Sequence, residues 1–467
     1  MPSNAFSRRR FLQLMAGASA AVLAGACAPT AAPPTPTSAP QPTAAATETP
    51  TPAPTKQPIT ISMICDPDPP AIYEEISKAA AEFKDANPHI TIQIEPRNVP
   101  SGEEVVPWLA AGTAPDTFRW AINQAVILGA KGLLHDLAPL AEEKGIADKY
   151  IEAVWKAYMW RKGEVFSLPN DVNTLALWCN PVLFEQAGVK DLLPPKNWDE
   201  MLTVAKAVAK PDEDPEKAIY AYAFPTTIEW SFFFFWFWLW REGGDFYDGE
   251  NLIFNSPEAV EAIKKIKFLI DQKYLPAFDN WQDPWYDGRC AMQEYGSWAI
   301  HGDIPGPWND NNPPGKWTAD YERPEFVVAP MIQLKEDVPN YSVFAGFSWF
   351  LPKTNKYPSE TVDWLWFMIS HPTYGTLYLR HGRQLLCTKV VTHPWLEHPA
   401  WAAFMKQLET TKPLLSDPES YSALEECLPA RLIKAWLGEA PIEQMLQEAY
   451  DCAKPLVEEA KKALRSQ

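Results

Sequence analysis

The chain has 467 residues and carries 41 Lys and Arg against 59 Asp and Glu, a formal net charge of −18. That acidic balance argues against nucleic acid as a partner and against electrostatic docking on anionic lipid. The length, with 21 Trp, 22 Phe and 16 Tyr, is enough for two or three domains with large cores.

The chain opens with Ser7-Arg8-Arg9-Arg10-Phe11-Leu12, in which Arg8 and Arg9 ahead of Phe-Leu match a twin-arginine export signal. The apolar stretch from Leu14 to Ala26 is shorter than the roughly 20 residues that a membrane-spanning helix needs. Small residues then lead to Cys27, as in a bacterial lipoprotein signal. Residues 1–27 are therefore expected to be an export signal ending at a lipidated Cys27, with the mature chain anchored on the outer face of the cell membrane. Leu23 stands one place earlier than such signals usually have it, so a plain signal peptide or an uncleaved anchor is the competing reading. Residues 28–58 are almost all Ala, Pro, Thr, Ser and Gln. Such a segment buries too little apolar surface to offset its ordering entropy, and its prolines favour an extended tether.

Ile59-Thr60-Ile61-Ser62-Met63-Ile64 alternates as a strand does. Ile72, Ile76, Ala79 and Phe83 follow at helical spacing, and Ile90, Ile92 and Ile94 return to alternation. Strand, helix and strand in so short a span predict a βαβ unit and a parallel core. Val105, Trp108 and Leu109 predict a helix that stops at Gly112, followed by a turn through Asp116. Asn197 and Glu200 form a capping pair, and Ser256-Pro257 opens a helix with Ile263, Ile266 and Ile270 on its apolar face. The run from Ile228 to Trp240 is too short to span a bilayer and predicts a helix buried on most sides. Cys65, Cys179, Cys290, Cys387, Cys427 and Cys452 show no CxxC or zinc-like spacing. Most are expected to be buried thiols, with a Cys427–Cys452 bridge between C-terminal helices an open alternative.

These pieces resemble, in order, the extracellular solute-binding proteins of ATP-driven importers, in the large family that includes maltose-binding proteins. The resemblance rests on Phe83…Asn87-Pro88-His89-Ile90, Leu109-Ala110-Ala111-Gly112-Thr113-Ala114-Pro115-Asp116 and Gly132-Leu133-Leu134-His135-Asp136-Leu137. It continues through Ser167-Leu168-Pro169, the segment Leu177 to Gly188, Pro194 to Glu200, Asn255 to Ala259, Gly288 to Met292 and Gly296-Ser297-Trp298. Cys179 and Pro181 depart from the family's usual Tyr-Asn-Lys form. The resemblance implies an α/β, two-lobed periplasmic-binding-protein-like fold, each lobe a mainly parallel sheet flanked by helices, joined by crossing hinge segments. Its expected division is 59–168 for the first part of lobe 1, 169–285 for lobe 2, 286–345 for a return to lobe 1, and 346–467 for the rest of lobe 2.

Ligand would bind between the lobes. Glu229 and Trp230 open the helix that faces the cleft in the family, and Trp298 stands where the family often stacks an aromatic on ligand. Trp120 lies at a strand end that opens toward the cleft. Asn170, Asp171 and Asn173 mark the first crossover; Gly346, Phe347 and Trp349 mark the last, and Arg383 is a further candidate. Flat aromatics suit a sugar's apolar face, while short polar side chains suit its hydroxyl rim. The expected function is thus capture of a carbohydrate, of oligosaccharide size, and its delivery to an ABC permease by a monomer. No cofactor, metal, catalytic residue or nucleic acid is expected. The alternatives are a non-sugar solute, a sensor on the same fold, or a glycan-cleaving enzyme. No Walker loop, HExxH or GxSxG motif occurs in the chain.

Overall fold

The computed structural model describes residues 56–65, 70–97, 102–224, 228–276, 283–300, 326–381, 384–413 and 419–465. The export signal with Arg8, Arg9 and Cys27, nearly all of the tether, and Arg383 lie outside the described residues. Among the described residues, ten strands fall in two sheets: β1 Ile59–Cys65, β2 Ile90–Pro96, β3 Thr117–Ala121, β4 Ser167–Asn173, β5 Leu175–Cys179, β6 Tyr220–Ala223, β7 Cys290–Gly296, β8 Val327–Ala329, β9 Ser342–Phe350 and β10 Thr411–Pro413. The first sheet runs β10-β9-β3-β1-β2, with β4 also on β9, and the second runs β6-β7-β5-β8.

The expected βαβ unit is present. Helix Pro70–Ala86 joins β1 to β2, burying Ile72, Ile76, Ala79 and Phe83, and β1 is parallel to both β2 and β3. Both sheets are mixed where the chain changes lobe, because β9 runs antiparallel to β3 and β4, and β5 runs antiparallel to β7 and β8. The lobes are joined where β4 passes through Thr174 into β5, beside the start of β9. There the Ser342 hydroxyl donates to the Leu175 carbonyl at 2.9 Å, accepts from the Leu175 amide at 3.2 Å, and lies 3.0 Å from the Thr174 hydroxyl.

The strand pairing corrects the expected division of the chain. Residues 286–345 were to return to the first lobe, but β7 lies between β5 and β6 in the second sheet, and β8 lies on the other side of β5. The return comes only with β9, so residues 346–350 belong to the first sheet rather than to lobe 2. Helix Pro358–Ser370 then packs on the first lobe, where Trp364 meets the Phe83 ring edge-on at 5.4 Å. Helices Tyr421–Cys427, Pro429–Leu437 and Ile442–Arg465 complete the second lobe, and Cys427 is disulfide-bonded to Cys452. Cys65, Cys179, Cys290 and Cys387 are buried free thiols.

Helix Ile228–Glu242 is enclosed as expected, with Phe232, Phe234 to Leu239 and Trp240 all buried. Two of its polar side chains meet one buried acid: the fully buried Glu294 carboxylate accepts from Trp238 Nε1 at 2.9 Å and Arg241 at 2.6 Å, as well as from the Tyr222 hydroxyl at 2.6 Å. A buried charge needs such a set of partners. The Asn197 cap also forms, its side chain accepting from the Glu200 amide at 2.9 Å, while Glu200 reaches back to the Lys196 amide at 2.7 Å. No helix among the described residues is long and apolar enough to cross a membrane.

Candidate functional site

Strands β3, β4 and β9 lie side by side where the chain leaves and re-enters the first lobe, and they gather several predicted residues around one that the sequence reading missed. Arg119 sits on β3 between apolar neighbours, 4% exposed, and its guanidinium donates to Asp171 on β4 at 2.6 Å. The Phe347 ring lies 4.2 Å from the guanidinium carbon, and the Tyr378 ring 4.1 Å from it. A cation held by a carboxylate and two aromatic faces is a self-contained buried arrangement. Its signal in the sequence was a lone charge inside the strand Thr117-Phe118-Arg119-Trp120.

Asp171 is also bonded to the Asn170 amide, and its other oxygen accepts from the Phe347 backbone N–H at 3.2 Å. Burial pushes the Asp171 carboxyl above its ordinary range, and the Arg119 charge and hydrogen bond oppose that. Asn170 owes its position to a bulge: the register of β4 on β9 slips between Pro169 and Asp171. The Asn170 side-chain oxygen accepts from Trp349 Nε1 at 2.8 Å. Gly346 has φ of +151°, and a Cβ there would come within 2.4 Å of the Asp171 carbonyl oxygen and 2.9 Å of Val172 Cα. The glycine serves strand-to-strand approach.

Trp349 is fully buried, Asp171 is 1% exposed with its oxygens committed, and Trp120 is packed at 6.5 Å from the Phe118 ring and 5.9 Å from Phe350. Asp171 and Trp349 line, with Asn170, one small cavity of the first lobe. Asn173 is buried opposite Ala345. Asn170 and Phe347 remain partly exposed. Trp298 does too: it follows β7, packs edge-on to Tyr295 at 5.3 Å, and lies so close over Gly296 that a Cβ there would fall 2.0 Å from its ring. Glu229 and Trp230 lie at the start of helix Ile228–Glu242.

Residues 419 and 420 stand in the chain between β10 of the first sheet and helix Tyr421–Cys427 of the second lobe. Glu419 accepts from Arg161 at 3.1 Å and from the Tyr247 hydroxyl at 2.8 Å. Burial raises the Glu419 carboxyl, but Arg161 and Tyr247 outweigh it and leave the group below its ordinary range. The Tyr421 ring stacks on Trp236 at 6.1 Å. The sequence reading missed Arg161 and Glu419, because neither stands in a patterned context. Among the described residues no group of His, Cys, Asp and Glu could hold a metal ion.

Residues 66–374 match the family model of bacterial extracellular solute-binding proteins, and the chain belongs to that family. It is 24% identical over 199 residues to the sn-glycerol-3-phosphate-binding periplasmic protein of Escherichia coli (strain K12), a span of 40% of this chain and 45% of that protein. The chain spans about half the length of the curated relatives it matches. Its fold is similar to that of a cyclo/maltodextrin-binding protein complexed with maltotetraose, with TM-score 0.70 and 20% identity over 86% of this chain and 98% of the other. It is also similar to the cyclic alpha-maltosyl-1,6-maltose binding protein from Arthrobacter globiformis, with TM-score 0.69 and 20% identity over 86% of this chain and 99% of the other. The family is one of extracellular receptors that bind solutes for ABC importers, and both sheets and helices follow that two-lobed architecture.

Proposed function

We propose that this chain is a lipid-tethered receptor that takes a carbohydrate, of oligosaccharide size, between its lobes and hands it to an ABC permease. The observation that carries this reading is the set of partly exposed rings at Phe347, Trp298 and Tyr421, together with the partly exposed Asn170 at the bulge of β4. Rings cover the apolar face of a sugar, and amides bond its hydroxyl rim. Of the solved relatives named above, one is a cyclo/maltodextrin-binding protein complexed with maltotetraose and the other a cyclic alpha-maltosyl-1,6-maltose binding protein, which supports the same reading. The Escherichia coli relative is named for an anionic solute, but both cations described at this junction are already paired, Arg119 with Asp171 and Arg161 with Glu419. A phosphate would have to displace a carboxylate in each case.

The test is calorimetric titration of the purified chain with linear and cyclic glucans, with glycerol 3-phosphate and amino acids as controls. Saturable binding of one glucan class without turnover is expected; binding of glycerol 3-phosphate alone would overturn the carbohydrate assignment. Trp298→Ala and Trp230→Ala should each weaken binding by about tenfold or more, the scale of one lost aromatic contact. For the anchor, Cys27→Ser should release the chain from membranes, and continued retention would point to an uncleaved segment.

A further inference from the structure

We infer that Cys452 is a modification site of the second lobe, the thiol through which a small uncharged or cationic disulfide closes the Cys427–Cys452 bridge and a thiol reductant reopens it. The bridge joins helix Tyr421–Cys427 to helix Ile442–Arg465. The two helices do not depend on it to meet. Leu424 on the first and Leu446, Ala449 and Ala453 on the second are buried in one shared core. A bridge acts mainly on the unfolded chain, so the reduced lobe keeps its two thiols side by side.

The two ends of the bridge differ in access. Cys427 is fully buried, whereas Cys452 alone among the described cysteines is partly exposed. The thiols of Cys179, Cys290 and Cys387 are buried as Cys427 is, and burial pushes them above their ordinary range, Cys290 to about 12. A thiol enclosed and protonated in that way attacks no external disulfide. The exchange therefore begins at Cys452. It gives its proton to solvent, and its thiolate displaces one thiol from the reagent to form a mixed disulfide. Cys427 in turn loses its proton, attacks the Cys452 sulfur and releases the second thiol. Two protein thiols are oxidised, and one reagent disulfide is reduced to two thiols. In reverse, a reductant thiolate reaches the Cys452 sulfur and expels Cys427.

Charge selects the reagent. Glu448 stands one helical turn before Cys452 and Asp451 stands beside it, both exposed. The nearest lysine in sequence, Lys454, is turned to the Tyr450 ring at 5.6 Å. The chain as a whole carries −18. An anionic disulfide is repelled from such a surface and a cationic one attracted, to an extent that salt screens.

The test uses the full-length chain with Cys27→Ser, which removes the one cysteine outside the described residues. The reduced protein is mixed with cystamine or with oxidised glutathione, and adducts are followed by intact mass and peptide mapping. Its far-ultraviolet circular dichroism should match that of the bridged form. Cys427→Ala should hold the reagent as a mixed disulfide on Cys452, and Cys452→Ala should take it on Cys427 about tenfold more slowly or less. Without either substitution, a short iodoacetamide pulse on the reduced chain should label Cys452 about tenfold ahead of Cys427. Cystamine should react about three- to tenfold faster than oxidised glutathione at low salt, and the two should converge in about 0.5 M salt. Equal labelling of the two thiols, adducts that appear first on Cys427, or a reduced chain that has lost its helical signal would overturn the inference. Equal rates for the two reagents at low salt would overturn the charge selection.

Discussion

Replacing Asp171 by Asn isolates what the Arg119 cluster does. The carboxylate is 1% exposed and faces a guanidinium 2.6 Å away that is itself 4% exposed, so neither charge has water to fall back on. Breaking a buried pair by removing one partner costs about 3–5 kcal/mol. Two effects moderate this. The Phe347 and Tyr378 rings still embrace the cation, each face contributing on the order of 1–2 kcal/mol when desolvated, and Asn keeps one oxygen that can accept from Arg119. The expected loss for Asp171→Asn is therefore about 2–3 kcal/mol, a large share of the ~5–15 kcal/mol that holds a typical domain together. Urea unfolding followed by far-ultraviolet circular dichroism measures it as a lower midpoint. An Arg119→Met/Asp171→Leu double variant, which removes both charges and keeps the volume, should recover most of the loss. A change under about 0.5 kcal/mol in the single variant, accompanied by loss of solute binding, would refute the argument. Asp171 would then be a ligand residue rather than a buried structural one.

Gly346→Ala places a methyl 2.4 Å from the Asp171 carbonyl oxygen at a φ of +151°, so it should cost about 2–3 kcal/mol in the same unfolding assay, and an unchanged midpoint would count against the close strand approach. The Cys427–Cys452 bridge closes a loop of sequence separation 25, for which the chain-entropy model gives about 3 kcal/mol. Cys427→Ser/Cys452→Ser should melt earlier than wild type, and identical melting with and without reductant would show that the bridge is not formed. Burial raises the Glu75 carboxyl, but the His381 and Arg380 partners outweigh it and lower its pKa from 4.5 to about 2. Because the folded value is depressed, this stabilisation is fully present above pH ~5 and is lost as pH falls through ~2, amounting to about 3 kcal/mol at most. Glu75→Gln should flatten the acid limb of stability across that window, whereas parallel limbs in the two proteins would show that Glu75 is not the group responsible.

The parts of the fold that were legible are those written in local pattern. The alternation of Ile59 to Ile64, the helical spacing of Ile72 to Phe83, the Asn197 cap and the aromatic run after Ile228 all became the elements expected. What failed was the path between lobes. Nothing local in strands β7 and β9 says which sheet each joins. Long-range pairing decides that. The site suffered similarly. Asp171 and Trp349 were chosen because they stand at crossovers, yet crossovers are also where a lobe must bury polar groups against each other. Arg119 supplied the partner that turned Asp171 inward. Glu419 gave no sign of meeting Arg161, since that contact spans 258 residues of chain and leaves no periodic trace.

The place of β1 has a mechanical meaning. The chain enters the folded body through Lys56-Gln57-Pro58 and passes at once into a strand interior to its sheet, paired with β2 along its whole length from Ile59 to Cys65 and with β3 at Met63 and Ile64. A pull arriving along that entry runs parallel to the strand, so it loads the ladder in shear, and its hydrogen bonds resist together. An edge strand pulled crosswise would instead unzip one bond at a time. A receptor held at its amino end would therefore grip its leash at one of the strongest points of the first lobe, leaving the second lobe free to swing.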